Sequence, residues 1–175
     1  MPPKTMVVEF QQVRAGFTLT LPKIPMQLIG QLVAFFRSYM QDGEEYEAMA
    51  QIYWDKEQEE FFAYVPKQTV CKDEIEADLR DCPYDNEERY LCYADIHSHN
   101  SMEAFFSSKD DQDERGTGPY FVVGELRPLF PRPQGPYFLR RHLVPIDPAT
   151  VIEGLDQAFQ RIEALRDTAE SVSGL

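Results

Sequence analysis

The feature that most constrains this chain is the run Tyr90-Leu-Cys-Tyr-Ala-Asp-Ile96, which leads without a break into His97-Ser98-His99. The run is apolar and aromatic enough for a buried strand. Side chains two apart on a strand project from the same face. The spacing therefore predicts a core strand whose end brings two imidazoles to one point.

The rest of the chain supplies elements to build around that strand. Residues Met26, Ile29, Leu32, Val33, Phe36 and Met40 recur at helical spacing between Pro25 and Gln41, and Asp42-Gly43 reads as the stop. Glu47 to Trp54 and Glu60 to Val65 read as strands that pair across the polar turn DKEQE. Lys72 to Arg89 is acidic and short of apolar residues, with a short surface helix expected around Glu74 to Leu79. Ser107 and Asp110 open a further helix that ends near Gly116. Tyr120 to Leu126 and Tyr137 to Leu143 follow as strands, joined by a stiff segment containing Pro128, Pro131, Pro133 and Pro136. Asp147-Pro148 then caps an amphipathic helix carrying Val151, Ile152, Leu155, Phe159, Ile162 and Leu165. The expected fold is a single α/β domain, of the α+β kind, with a central mixed β-sheet flanked by helices. Residues 1–24 form an N-terminal β-hairpin belonging to it, 25–167 form the main body, and 168–175 are a frayed tail.

Composition narrows the partners. The chain has 175 residues with 17 Lys plus Arg against 30 Asp plus Glu, a formal charge of −13, which argues against a nucleic acid partner. Cys71, Cys82 and Cys92 form no C-x-x-C pair, and the start MPPKTMVVEF has no basic segment followed by an apolar stretch. A reducing cytoplasm is the expected setting, and no apolar run approaches the ~20 residues that span a bilayer.

Seven residues separate His99 from Ser107, and Asp110 stands three further on, so the whole pattern is H-x-H, seven residues, then S-x-x-D. Two His and one carboxylate are three ligands for a tetrahedral zinc whose fourth position stays open to water, which is the arrangement of a catalytic site. The four positions together match by chance in fewer than about one chain in a thousand at ordinary residue usage. Only His142 remains outside the motif, so a binuclear site needing four or more His cannot be assembled, and one zinc per chain is expected. The bland reading of Ser107 and Asp110 is a helix cap. That of Cys92 is core packing, and Trp54 and the Phe105-Phe106 pair are either core or the lining of a peptide groove.

At these residues, HSHNSMEAFFSSKD, the chain resembles the JAMM or MPN-plus zinc metalloprotease family. The resemblance in element order covers most of residues 25 to 165 and implies a JAB/MPN-like domain. It implies that His97, His99 and Asp110 are the zinc ligands and that Ser107 helps hold the oxyanion. The family's general base and acid is an upstream Glu in a pattern like E-x-x-(G/A)-x-(L/I). Glu47-Ala-Met-Ala50-Gln-Ile52 matches it, which points to Glu47, with Glu45 and Glu44 as the neighbours that a register shift would promote. Many members have Pro where this chain has Asn100. With no long insertion visible, the compact prokaryotic or phage-type members look closer.

By this resemblance the chain is a zinc-dependent isopeptidase or peptidase. Its substrate would be the C-terminal tail of a ubiquitin-like or sulfur-carrier (β-grasp) protein, with an E1-like associated protein as a further partner. The alternatives are an inactive MPN-type binding scaffold and a hydrolase of a small-molecule amide.

Overall fold

The computed structural model describes residues 20–41, 43–72, 75–104, 119–127, 137–141, 144–158 and 160–161. Helix α1 (Met26–Arg37) is followed by a small hairpin of β1 (Met40–Gln41) and β2 (Glu44–Glu45). Next come β3 (Met49–Asp55), β4 (Glu60–Tyr64), β5 (Lys67–Val70), β6 (Ile75–Asp78) and β7 (Tyr90–Ser98). Strands β8 (Tyr120–Val123), β9 (Tyr137–Arg141) and β10 (Val144–Pro145) complete the sheet, and a 3-10 turn (Pro148–Thr150) follows. Six strands form one mixed sheet in the order β10-β9-β8-β7-β3-β4, with β7 and β8 parallel and the other neighbours antiparallel. The architecture is thus α+β around a central mixed sheet. Among the described residues no helix is long and apolar enough to cross a membrane.

The two faces of the sheet differ because the strand period is two. On one face the pairs Ala50–Ile96, Ile52–Ala94 and Ile96–Phe121 meet Ile29, Leu32 and Phe36 of α1 in a single core cluster. Ile29, Phe36 and Phe121 are fully buried, and each such side chain contributes roughly 1.5–3 kcal/mol. The small Ala48, Ala50 and Ala94 are also buried there, which leaves room for the bulkier side chains of α1. On the other face the pairs Met49–His97 and Gln51–Asp95 run side by side. Burying polar groups on that face demands partners for them.

Several sequence expectations change. The helix expected to reach Gln41 ends at Arg37, because a hairpin takes over instead: Met40 pairs Glu45, and Gly43 takes φ 85, which only glycine adopts without strain. The surface helix expected near Glu74 to Leu79 is strand β6, paired with β5 from Val70–Ile75 to Lys67–Asp78. The β-branched Thr69 and Val70 of β5 favour this pairing, and the sequence reading had no strand there.

The C-terminal helix does not run continuously from Pro148. Asp147 does cap, accepting from the Ala149 N–H at 3.0 Å, but the turn is 3-10, and Gly154 at φ 72 interrupts the chain before helical residues resume at 155. Ile24 bridges Ile152 in between, which pins this segment as a strand-like contact. Cys92, expected in the core, is exposed on the outer half of β7. Trp54 is buried and packs on Phe61 with ring centroids 4.8 Å apart, so it belongs to the packing.

Residues 1–19 of the expected N-terminal hairpin, the segment with Ser107 and Asp110 that was expected to be helical, most of the proline-rich connection, His142 and the residues expected to form the tail lie outside the described residues.

Candidate metal centre

His97 lies on the last turn of the pleat of β7, and His99 follows immediately after the strand. Both are almost wholly buried, and their Nε2 atoms are 3.0 Å apart. The rings are tilted by 58° with centroids 4.9 Å apart, so the ring edges converge and do not stack. The ring of Tyr120, from β8, stands 5.3 Å from that of His97. The expected convergence of two imidazoles is therefore present.

Glu47 is the third group of the sequence prediction that falls among the described residues. The pairing Met49–His97, continued two places, sets Glu47 across from His99 on the same face. Hydrogen bonds keep that register beyond the formal end of β3: the Ser98 N–H donates to the Ala48 carbonyl at 3.0 Å, and the Ala48 N–H donates to the Ser98 hydroxyl at 3.1 Å. The Glu47 N–H donates to the Cys71 carbonyl at 2.9 Å, so the backbone is held from both sides. Glu47 is itself buried.

Its neighbours differ from it. Glu45 accepts from the Ser101 hydroxyl at 2.6 Å and from Arg127 Nε at 2.7 Å. The Ser101 hydrogen bond, aided by Arg127 and opposed by partial burial, holds the Glu45 carboxyl below the usual carboxylate range. Glu44 is exposed. Of the three acidic residues considered, Glu47 alone has the burial and register of a group working beside His99.

Behind the His pair runs a polar row that sequence reasoning missed. The Tyr53 hydroxyl donates to Gln51 Oε1 at 3.1 Å, and Gln51 Nε2 donates to Asp95 Oδ1 at 3.0 Å. Burial pushes the Asp95 carboxyl up, opposed by the Gln51 hydrogen bond and the charge of His97. The signal was available in the period of two: Asp95 stands two before His97, and Gln51 four after Glu47. The edge of β3 is finished in the same manner. Where Pro66 ends the β4 pairing, the side chain of Gln68 accepts from the Met49 N–H at 2.9 Å and donates to the Met49 carbonyl at 3.0 Å.

Two converging imidazole nitrogens are part of a metal-ligand set. A tetrahedral zinc at 2.0–2.1 Å from two imidazole nitrogens holds those nitrogens about 3.3 Å apart, close to the separation seen between His97 and His99. Among the described residues no group of three His, Cys, Asp or Glu is gathered tightly enough to hold an ion. Ser107 and Asp110, the other two positions of the motif, lie outside the described residues.

The loop leaving His99 is clamped to the end of β8. The His99 N–H donates to the Val123 carbonyl at 2.7 Å, the Met102 N–H to His99 at 2.9 Å, and the Glu125 N–H to Met102 at 2.6 Å. Gly124 makes this approach possible: a Cβ there would lie 2.4 Å from both the Ala104 nitrogen and the Met102 oxygen. An open cleft of about 520 Å³, lined by Arg37, Met40, Gly43, Glu44, Glu45, Leu126 and Arg127, lies alongside. No family model matches the chain, and no curated protein matches it either.

Proposed function

We propose that the chain is a zinc-dependent peptidase or isopeptidase of the JAMM type, cleaving an amide bond at the C-terminal tail of a ubiquitin-like or sulfur-carrier protein. The observation that supports this is the convergence of His97 and His99 Nε2 atoms at 3.0 Å on the sheet face where the strand register also sets Glu47. His97 and His99, with Asp110 from the S-x-x-D segment, would hold one zinc. Bound there, zinc supplies Lewis acidity to a carbonyl and lowers the pKa of water. Glu47 takes the proton of the attacking water and returns it to the leaving amine, which is the work of a buried carboxylate beside the reacting centre. Ser107 donates to the carbonyl oxygen as it gains charge. The excess of 30 acidic over 17 basic side chains would draw in a tail carrying Arg or Lys. A cytoplasmic setting, in which Cys71, Cys82 and Cys92 stay reduced, belongs to the same reading.

The test is cleavage of a ubiquitin-like fusion by the purified protein, beside a Glu47→Gln variant of equal zinc content. Cleavage by the wild type and none by the variant is expected. A wild type that binds no zinc when it is supplied would end this reading.

A further inference from the structure

The polar row behind the His pair ends in two thiols. Strand β7 carries a bulge: Ile52 pairs Ala94 but Tyr53 pairs Cys92, so Tyr93 is passed over. Without the extra residue the period of two would turn Cys92 to the core face. With it, Cys92 stands across from Tyr53 on the face of Gln51 and Asp95. Cys82 reaches the same place from the loop before β7. Its N–H donates to the Leu79 carbonyl at 3.3 Å, and two residues on, Tyr84 packs against Tyr53, Phe62, Tyr64 and Tyr90 with ring centroids 4.7–5.5 Å apart.

The Tyr53 hydroxyl lies 3.3 Å from the Cys82 sulfur and is in hydrogen-bond contact with the Cys92 thiol as well. Its own proton is committed, because it donates to Gln51 Oε1, and the Gln51 amide donates in turn to Asp95. The phenol oxygen thus meets the sulfurs with its lone pairs, and both S–H groups donate to one atom. Two sulfurs that share an oxygen in this way are within about 7 Å of each other. Bringing them to the ~2 Å of a disulfide takes rotation of the two side chains and a small advance of the Cys82 loop.

We infer that Cys82 and Cys92, gathered on the Tyr53 hydroxyl, are an oxidisable dithiol site that closes to an intramolecular disulfide in the presence of hydrogen peroxide. The Cys82 sulfur attacks one peroxide oxygen: an S–O bond forms, the O–O bond breaks, and hydroxide leaves as water with the Cys82 proton. Cys92 then attacks the oxidised sulfur: the S–S bond forms, the S–O bond breaks, and hydroxide leaves as water with the Cys92 proton. The two thiols lose two electrons, and peroxide is reduced to two waters. Burial pushes the Cys92 thiol up to about 11, which slows its own reaction with peroxide and gives it the second step, since thiolate is the reactive form. Cys82 is half-buried and takes the first. A reversible bridge of this kind is compatible with a reducing compartment.

The experiment treats the full chain with hydrogen peroxide and maps the unreduced peptides by mass spectrometry, with Cys71, which is exposed, as the internal reference. The expected product joins Cys82 to Cys92, is lighter by two hydrogens and reverts with dithiothreitol, while Cys71 stays outside the bridge. Cys92→Ser removes the second thiol and should leave Cys82 as a sulfenic acid that dimedone traps. Tyr53→Phe keeps the ring and removes the shared oxygen, and bridge formation should slow by about tenfold with Cys71 oxidation unchanged.

The wild-type map needs no variant to fold. Cys82 proceeding to sulfinic acid with Cys92 still reduced, Cys71 entering bridges as readily, or an unchanged rate in a folded Tyr53→Phe would each overturn the inference. None of these outcomes bears on the peptidase reading, which uses neither thiol.

Discussion

The Nε2 atoms of His97 and His99 lie 3.0 Å apart on one buried face of the sheet. Two neutral imidazoles can share that space only if one donates and the other accepts, whereas a metal needs both as bare nitrogens. The pair is therefore satisfied either by one shared proton or, under the proposed function, by one shared zinc.

Metal content reads this directly. Protein purified without added metal should carry close to one zinc per chain by elemental analysis, and His99→Ala prepared identically should carry none. The wild-type content should fall as the pH of dialysis is lowered, because imidazole ligates only when deprotonated. A His99→Ala variant that retained zinc would show that the ion sits elsewhere.

Glu47 and Glu45 should separate cleanly. Glu47→Gln is expected to lower cleavage by about 10²–10⁴-fold, the range of general acid–base catalysis, with zinc retained. Glu45 is already engaged by Ser101 and Arg127, so Glu45→Gln should cost at most about 1 kcal/mol of stability, as for a partly exposed ion pair, and only a modest share of activity. Kinetics and melting of the two variants check this; equal activity losses would return Glu45 to candidacy as the base.

Gly124 is a third test. A methyl group there would meet the Ala104 nitrogen and the Met102 oxygen at 2.4 Å, both of them backbone atoms, which move only with the whole loop. Gly124→Ala should destabilise the protein by about 1–3 kcal/mol, the cost of overpacking, and weaken zinc retention because the loop after His99 is displaced. Calorimetry together with zinc analysis would reveal it, and an unchanged melting temperature would mean the loop yields freely.

Thiol reactivity follows from burial. The Cys92 thiol is pushed up to about 11, chiefly by burial and then by the charge of Asp95, although the residue as a whole is exposed. Thiolate is the reactive form. Alkylation followed by mass spectrometry at mildly alkaline pH should therefore mark Cys71 well before Cys92, and the Cys92 rate should keep rising with pH up to about 11. Equal rates would contradict the burial of the thiol.

Acid sensitivity is expected at Asp55. Arg89 lies 2.8 Å from its carboxylate, and the Glu57 and Gln58 N–H groups donate to it at 2.8 and 3.1 Å. Hydrogen bonds from Arg89 lead in holding its pKa below the usual 3.8. A depressed carboxyl contributes stability above its unfolded value, lost as pH falls through the folded one. The melting temperature of Asp55→Asn should lie below wild type at about pH 6, and the gap should close towards about pH 2. A gap independent of pH would assign the effect to packing.

The strand that ends in the His pair, its hairpin partner β3 with β4, and the buried face of α1 were legible because each depends on a local period, two for strands and 3.6 for the helix. The convergence of His97 and His99 was legible for the same reason, while Ser107 and Asp110, the rest of the motif, lie outside the described residues. Asp42-Gly43 was recognised as a break, yet whether it stops a helix or turns a hairpin depends on where the next strand lies. Residues 67–70 and 75–78 gave no strong periodic signal, and their pairing is decided by each other.

What the sequence by itself determined is the periods its residues follow and the spacing that brings His97 and His99 to one face, since both are properties of neighbours in the chain. Tertiary structure alone decided which acidic residue stands beside His99. Glu44, Glu45 and Glu47 are alike in sequence and fall within four positions of one another. Only the antiparallel register of β3 against β7, held by Ala48 and Ser98, turns Glu47 to the His face. The same register sets Gln51 against Asp95. Contacts between segments some fifty residues apart carry no period, and they are set by which faces must be buried together.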